Sequence, residues 1–229
     1  MPKYKASLHI HASEDHREQH VIRYSVYELI EHAHRKGFKV LALTFHQHFG
    51  YKKVHGLYAQ QKGILLIPGI EANLYNYKKD HENHVLILNC DQEVEKLETF
   101  DDLRKYRKEH PEIFVIAPHI FSGFNMSMGK KKFEEHVDLF DAVEHSWVYT
   151  KRFNPNKKAE QIARKYKKPF IATADLHNLK HFMQDYTIID SPSLKMKDVI
   201  NSLKQGKIIN VTRPKKILDL LHTAFITYF

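Results

Sequence analysis

Histidines and carboxylates in this sequence fall where short apolar runs begin or end. His9 and His11 stand two apart in SLHIH, and Asp175 and His177 stand two apart in ATADLH. Residues two apart on an extended chain face the same side, so each pair can converge on one point. Between the pairs come single residues of the same kinds: His46 closing LALTFH, Glu71 in PGIEAN, His84 opening NHVLIL, His119 closing VIAPH and Glu144 in DAVEH. Taken singly, each has an ordinary explanation as a surface pair, a loop histidine or a helix-cap neighbour. Taken together, they recur at nearly every apolar run, where a buried charge is costly unless a cation compensates it. Imidazole and carboxylate without thiolate suit Zn, Mn or Fe in a hydrolytic site rather than a closed structural zinc site. The chain has 18 histidines, more than packing explains, and one cysteine, Cys90, which excludes an intrachain disulfide framework.

The elements that must position these residues alternate. Apolar runs read as strands over 7–11, 39–45, 64–72, 85–89, 113–118, 139–144, 169–173, 186–189 and 208–211. Amphipathic stretches read as helices over 24–37, 54–63, 100–110, 132–137, 156–168 and 196–206. In the first of these, Val26, Leu29, Ile30 and Ala33 recur at helical spacing and Gly37 suits the stop. The apolar, aromatic stretch 217–229 reads as a final packing helix. Such alternation predicts an α/β fold with a mostly parallel sheet covered by helices. Seven or more such units predict a β/α barrel, with 1–229 as a single domain. Strand ends of a barrel converge on one face, which would gather the scattered residues.

Lys and Arg total 36 against 27 Asp and Glu, a formal net charge of +9. That balance favours anionic partners, here a phosphorylated substrate such as a nucleotide or short nucleic acid. Arg17, Arg23, Lys151 and Arg152 lie in loops near strand ends and are candidates to clamp phosphate oxygens. His145, beside Glu144, is a candidate proton donor to a leaving group. Tyr51, Phe121, Phe124, Trp147 and Tyr149 could stack bases or simply pack the rim. The longest apolar run, 64–70, is far below the roughly 18 residues of a spanning helix, so no membrane partner is expected. No leader is visible, which leads to the expectation of a cytoplasmic protein.

The succession LHIHASED, LALTFH, LIPGIEAN, NHVLIL, IAPH, DAVEHSW and IATADLH, from Leu8 to about His177, resembles the PHP (polymerase and histidinol phosphatase) family. It is closest to that family's stand-alone phosphoesterases. The resemblance implies a distorted seven-stranded β/α (TIM-like) barrel holding two to three divalent transition metal ions, Zn, Mn or Fe. It implies His9, His11, Glu71 and Asp175 at one metal, and Glu71, bridging, with His84 and His119 at a second. His46 and His177 would hold a third, with Asp15 or His16 completing it; Asp15 fits the commoner pattern. Glu71, Asp175 and His177 would carry the catalytic roles. One departure is Phe45, where the family usually has Asp or Asn; phenylalanine cannot accept a hydrogen bond from His46. His20 and His48 are further histidines nearby, either substitutes or exposed loop residues. The implied activity is hydrolysis of a phosphate ester by a metal-activated water, on a nucleotide or short oligonucleotide. The alternatives are a phosphatase on a small phosphomonoester of the histidinol phosphate kind, and a catalytically silent metal-binding barrel.

Overall fold

The computed structural model describes residues 1–75, 81–122 and 127–216. The expected helix over 217–229 and the aromatic candidate Phe124 lie outside the described residues. In chain order the elements are β1 (Lys3–Ser7), α1 (Val26–Arg35), β2 (Phe38–Ala42), α2 (Lys53–Gln61), β3 (Leu65–Ile67), β4 (Gly69–Tyr75), β5 (Glu82–Leu88) and α3 (Phe100–Glu109). There follow β6 (Phe114–Ala117), α4 (Gly129–Glu135), β7 (Ala142–His145), α5 (Asn156–Lys165), β8 (Phe170–Ala172), β9 (Tyr186–Asp190), α6 (Met196–Lys204) and β10 (Ile208–Val211). Among the described residues no helix is long and apolar enough to cross a membrane.

The α/β alternation is present, but the seven-stranded barrel is not. The strands form two five-stranded sheets, ordered β10-β9-β1-β2-β3 and β4-β5-β6-β7-β8. Nor are the sheets mostly parallel. β1–β2, β2–β3, β6–β7 and β7–β8 pair in parallel, while β1–β9, β9–β10, β4–β5 and β5–β6 pair antiparallel. Too few residues separate Tyr75 from Glu82 for a crossover helix, so β5 can only return antiparallel to β4.

The division between the sheets falls inside the apolar run 64–72, which reads as one strand and folds as two. Pro68 has no N–H to give to a ladder. On its N-terminal side β3 pairs with β2; on its C-terminal side β4 pairs with β5. Gly69 makes the crossing: a Cβ there would lie 2.8 Å from the Leu43 carbonyl oxygen and 3.1 Å from that of Ile87. Backbone cannot yield as a flexible side chain can. Gly69→Ala is therefore expected to lower unfolding stability by about 1–3 kcal/mol, read as a fall in urea midpoint. An unchanged midpoint would show that the crossing has slack.

Two single-residue parallel bridges tie the sheets together, His46 with Glu71 and Ile10 with Leu176. At the first, Gln47 N–H donates to the Glu71 carbonyl (2.9 Å) and Glu71 N–H to that of Phe45 (3.1 Å). At the second, His11 N–H donates to Leu176 (3.2 Å) and Leu176 N–H to His9 (3.1 Å). Both seams thus run through residues singled out for their chemistry. One core layer draws on both sheets, with Val40 and Ile67 from the first and Leu86, Phe114, Ile116 and Ile171 from the second. Helix α1 covers the first sheet through Val26, Leu29, Ile30 and Ala33, and α3 and α5 cover the second through Leu103, Ala159 and Ile162.

Candidate metal centre

Strand β1 stops at Ser7, so His9 and His11 lie just beyond it rather than within the expected strand 7–11. Both are fully buried. The centre is built on Glu71, in β4, whose two carboxylate oxygens face different histidines. Its Oε2 lies 3.1 Å from His9 Nε2, 3.4 Å from His11 Nε2 and 3.2 Å from His46 Nε2. Its Oε1 lies 2.6 Å from His84 Nδ1 and 3.1 Å from His119 Nε2. Asp175 Oδ1 joins the first group, 3.3 Å from His9 Nε2 and 3.4 Å from His11 Nε2. His177 stacks on His11 with ring centroids 4.6 Å apart. All nine residues proposed from the sequence as ligands are therefore brought to one cluster.

Four of the rings are turned inward in the same way. His9 Nδ1 is held by Glu144 Oε1 at 2.8 Å. His11 Nδ1 and His46 Nδ1 are both held by Asp15 Oδ2, at 2.8 and 3.0 Å. His177 Nδ1–H donates to the Asp175 carbonyl oxygen at 2.7 Å. An oxygen on Nδ1 fixes the ring and directs Nε2 at the cluster, the arrangement usual around metal-ligating histidines. Asp15 also supplies the partner that Phe45 cannot give His46. Its Oδ1 accepts from Arg17 N–H (3.1 Å) and its Oδ2 also from His46 N–H (3.0 Å), so both oxygens are already engaged by protein donors. Asp175 Oδ2 is similarly taken by Trp147 Nε1–H (3.0 Å), leaving Oδ1 for the cluster.

Burial alone would raise the carboxyls and lower the imidazoles. Facing one another, they reverse it. Against burial, His84, His9 and His46 hold the Glu71 carboxyl well below its usual range, and His9 and His177 do so for Asp175. Against burial, Asp175, Glu71 and Glu144 lift His9 well above its ordinary value. His84 is the exception, lowered by burial despite Glu71. Several buried atoms nonetheless lack any hydrogen bond: His11 Nε2, His84 Nε2, His177 Nε2 and Glu18 Oε2. The last two form a close ion pair at 2.7 Å. Donor atoms of His9, His11 and Glu71, of His11, Asp175 and His177, and of His46, Glu71 and His84 lie within 4.8 Å of one another in each group, and such sets of nitrogen and oxygen donors fit divalent metal ions. Backbone strain gathers here too. Gln47, His119 and Asp175 have φ of 45°, 28° and 43°, a left-handed conformation that costs non-glycine residues about 1–3 kcal/mol each.

Three participants take roles that the sequence did not assign them. Glu18 reaches His177 only because a turn at 15–18, with Glu18 N–H on the Asp15 carbonyl at 3.1 Å, brings the loop back. Glu144 orients His9 and accepts from His119 N–H at 2.6 Å and from the Thr173 hydroxyl. Its place at a strand end was visible; its role was not. Trp147, read as a rim aromatic, is buried against Asp175.

Other candidates fall outside the cluster. Strand alternation that sends Glu144 inward sends His145 the other way, where its ring packs edge-on to Tyr149 and Phe170. His16 and His20 are exposed, and His16 stacks on His48, which pairs with Glu95. Arg23, Lys151 and Arg152 are exposed. Arg17 stands at the rim, bidentate on Glu82 at 2.7 and 3.2 Å, and Glu82 Oε1 lies 3.9 Å from His84 Nε2.

The fold and site together define a class, an α/β protein with a nested histidine–carboxylate centre at the seam of two mixed sheets. Residues 153–208 match a family model described as PHP-associated. A two-domain protein from Bacteroides vulgatus containing a predicted PHP-like metal-dependent phosphoesterase shares the fold with a TM-score of 0.72 at 16% identity, over 98% of this chain and 69% of that one. PsfC from Pseudomonas syringae does so with a TM-score of 0.66 at 13% identity, over 99% and 98%. The lesion-specific endonuclease PfuEndoQ from Pyrococcus furiosus does so with a TM-score of 0.64 at 12% identity, over 97% and 66%. No curated protein matches the sequence. The family-model match and the shared fold bear out the resemblance to the PHP family carried by the sequence motifs.

Proposed function

We propose that the protein is a metal-dependent hydrolase of phosphate esters. The observation that carries this reading is Glu71, a buried carboxylate with two histidines on one oxygen and three on the other. That is the placement a bridging ligand needs. His9, His11, Glu71 and Asp175 would hold one ion, and Glu71, His84 and His119 a second. Glu18 would complete a third group with His46 and His177, since the oxygens of Asp15 are already engaged. Divalent ions bound at such a site supply Lewis acidity to a water and to a phosphoryl oxygen. The chain itself orients the ligand rings through Asp15, Glu144 and the Asp175 carbonyl. Arg17, at the rim, would exchange part of its contact with Glu82 for the substrate's phosphate. The basic balance favours a nucleotide or short oligonucleotide over a small phosphomonoester.

The test is a panel of phosphomonoesters, phosphodiesters and short single strands on protein stripped with chelator and reloaded with Zn, Mn or Fe. Reloading is expected to raise the thermal midpoint, since an ion that binds only the folded state stabilises it, and to restore ester hydrolysis. Fully loaded protein that hydrolyses nothing would point instead to a catalytically silent metal-binding protein.

A further inference from the structure

Two of the aromatic side chains that could stack bases or pack the rim are buried, Trp147 and Tyr149, at 2% and 5% exposure. On the same loop, six residues past Trp147, Phe153 is 55% exposed. Lys151 and Arg152 precede it and Lys157 and Lys158 follow, all four exposed. None of the four is ion-paired among the described residues, and neither are Lys130 and Lys131 at the start of α4; further along, Lys132 pairs with Glu135, Arg164 with Glu160 and Lys165 with Glu134. Four unpaired positive charges thus flank one exposed ring.

Its position relative to the metal centre follows from the topology. β6 and β7 pair in parallel, so the helices that follow them, α4 and α5, both start at the strand ends where His119 and Glu144 stand. Glu134 near the far end of α4 meets Lys165 and Tyr166 at the far end of α5, which places both helix starts toward the centre. Asn156 pins the first turn of α5 to the end of β7: its Oδ1 accepts from Ser146 N–H at 2.9 Å and its Nδ2 donates to the Ser146 carbonyl at 2.8 Å. A cavity of about 10 Å³, room for no more than one water, lies between His119 and Glu144 on one side and Asn156 on the other.

We propose that Lys151, Arg152 and Phe153, with Lys157 and Lys158, bind a single-stranded nucleic acid and lead it to the metal centre. The inference rests on the phosphoesterase reading for what becomes of the strand there. Lysine and arginine side chains take backbone phosphates without regard to sequence. A single exposed ring among them takes the face of an unstacked base. A duplex hides its base faces, and a lipid surface would require more exposed apolar area than one phenylalanine provides.

The experiment is fluorescence anisotropy on the full chain, metal stripped so that no strand is cut. The probe is a labelled single strand of roughly 12 nucleotides, within the span such surfaces cover. Wild type is expected to prefer the single strand to the same sequence as duplex. Phe153→Ala is expected to weaken binding about tenfold with little change in salt dependence. Lys151→Ala with Arg152→Ala should lower the slope of log affinity against log salt by about 1.4, roughly 0.7 for each phosphate no longer neutralised. Lys195→Ala with Lys197→Ala should change nothing. Those lysines follow Ser191, whose N–H bonds Pro2, at the opposite end of β1 from His9. Equal binding of single strand and duplex, wild-type binding by Phe153→Ala, or equal competition by anionic phospholipid vesicles would each overturn the proposal. Strand binding without hydrolysis by loaded protein would fell the phosphoesterase reading alone. Hydrolysis of small esters without strand binding would fell this proposal alone.

Discussion

Glu71→Gln is expected to reduce ester hydrolysis by on the order of 10²–10³-fold or more and to lower bound metal. Its two oxygens serve five histidines, and a neutral amide offers one oxygen and an N–H₂ that can only donate. Whichever way the amide turns, one group of rings faces a donor instead of an acceptor. The stability loss in metal-free protein is limited, because His9 and His11, lifted above their ordinary pKa partly by this carboxylate, can shed their protons. The backbone bonds of Glu71 to Phe45 and Gln47 do not involve the side chain and should persist. Metal content, circular dichroism and turnover on the same preparations check the expectation. Wild-type turnover with wild-type metal content would exclude Glu71 as a bridge.

Asp15→Asn is expected to weaken metal binding about 10–100-fold while leaving the number of ions unchanged. Three donors converge on Asp15 Oδ2, from His11 Nδ1, His46 Nδ1 and His46 N–H. If the amide oxygen takes that position, the N–H₂ faces the Arg17 N–H, donor against donor. If the amide is turned over, both rings lose their anchor. Either way the Nε2 atoms of two rings are less well aimed, but no ligand is removed. A metal titration distinguishes the two roles. One ion fewer, with the remainder bound as tightly as in wild type, would make Asp15 a ligand and Glu18 a bystander.

Helix α1 shows how far local sequence reached. Its apolar face is Val26, Leu29, Ile30 and Ala33, and it opens with a reciprocal capping box between Ser25 and Glu28, both features of nearest neighbours along the chain. The candidate ligand residues were legible for a related reason. A histidine or carboxylate at the edge of an apolar run is conspicuous whatever the strand pairs with, and His9, His11, His46, Glu71, His84, His119, Asp175 and His177 all reach the cluster.

Strand partners and the choice of ring anchors belong to the tertiary structure. Apolar periodicity reports that a strand is buried, not which strand lies beside it or in which direction, so two mixed sheets and a barrel produce nearly the same pattern. The break at Pro68 and Gly69 is decided by the approach of Leu43 and Ile87, from other strands. Glu18, Asp15 and Trp147 acquire their places in the same way. Each acts through hydrogen-bond or charge geometry with a residue that only folding brings near: His177 for Glu18, His46 for Asp15, Asp175 for Trp147. The sequence by itself determined most of the side chains that could hold metal and the approximate places of the helices and strands, though not the bounds of β1 or the break at Pro68. The fold decided which of them face the centre, which orient a neighbour and which turn away, because a ligand's role depends on the direction of its lone pair and that direction is set by long-range contacts.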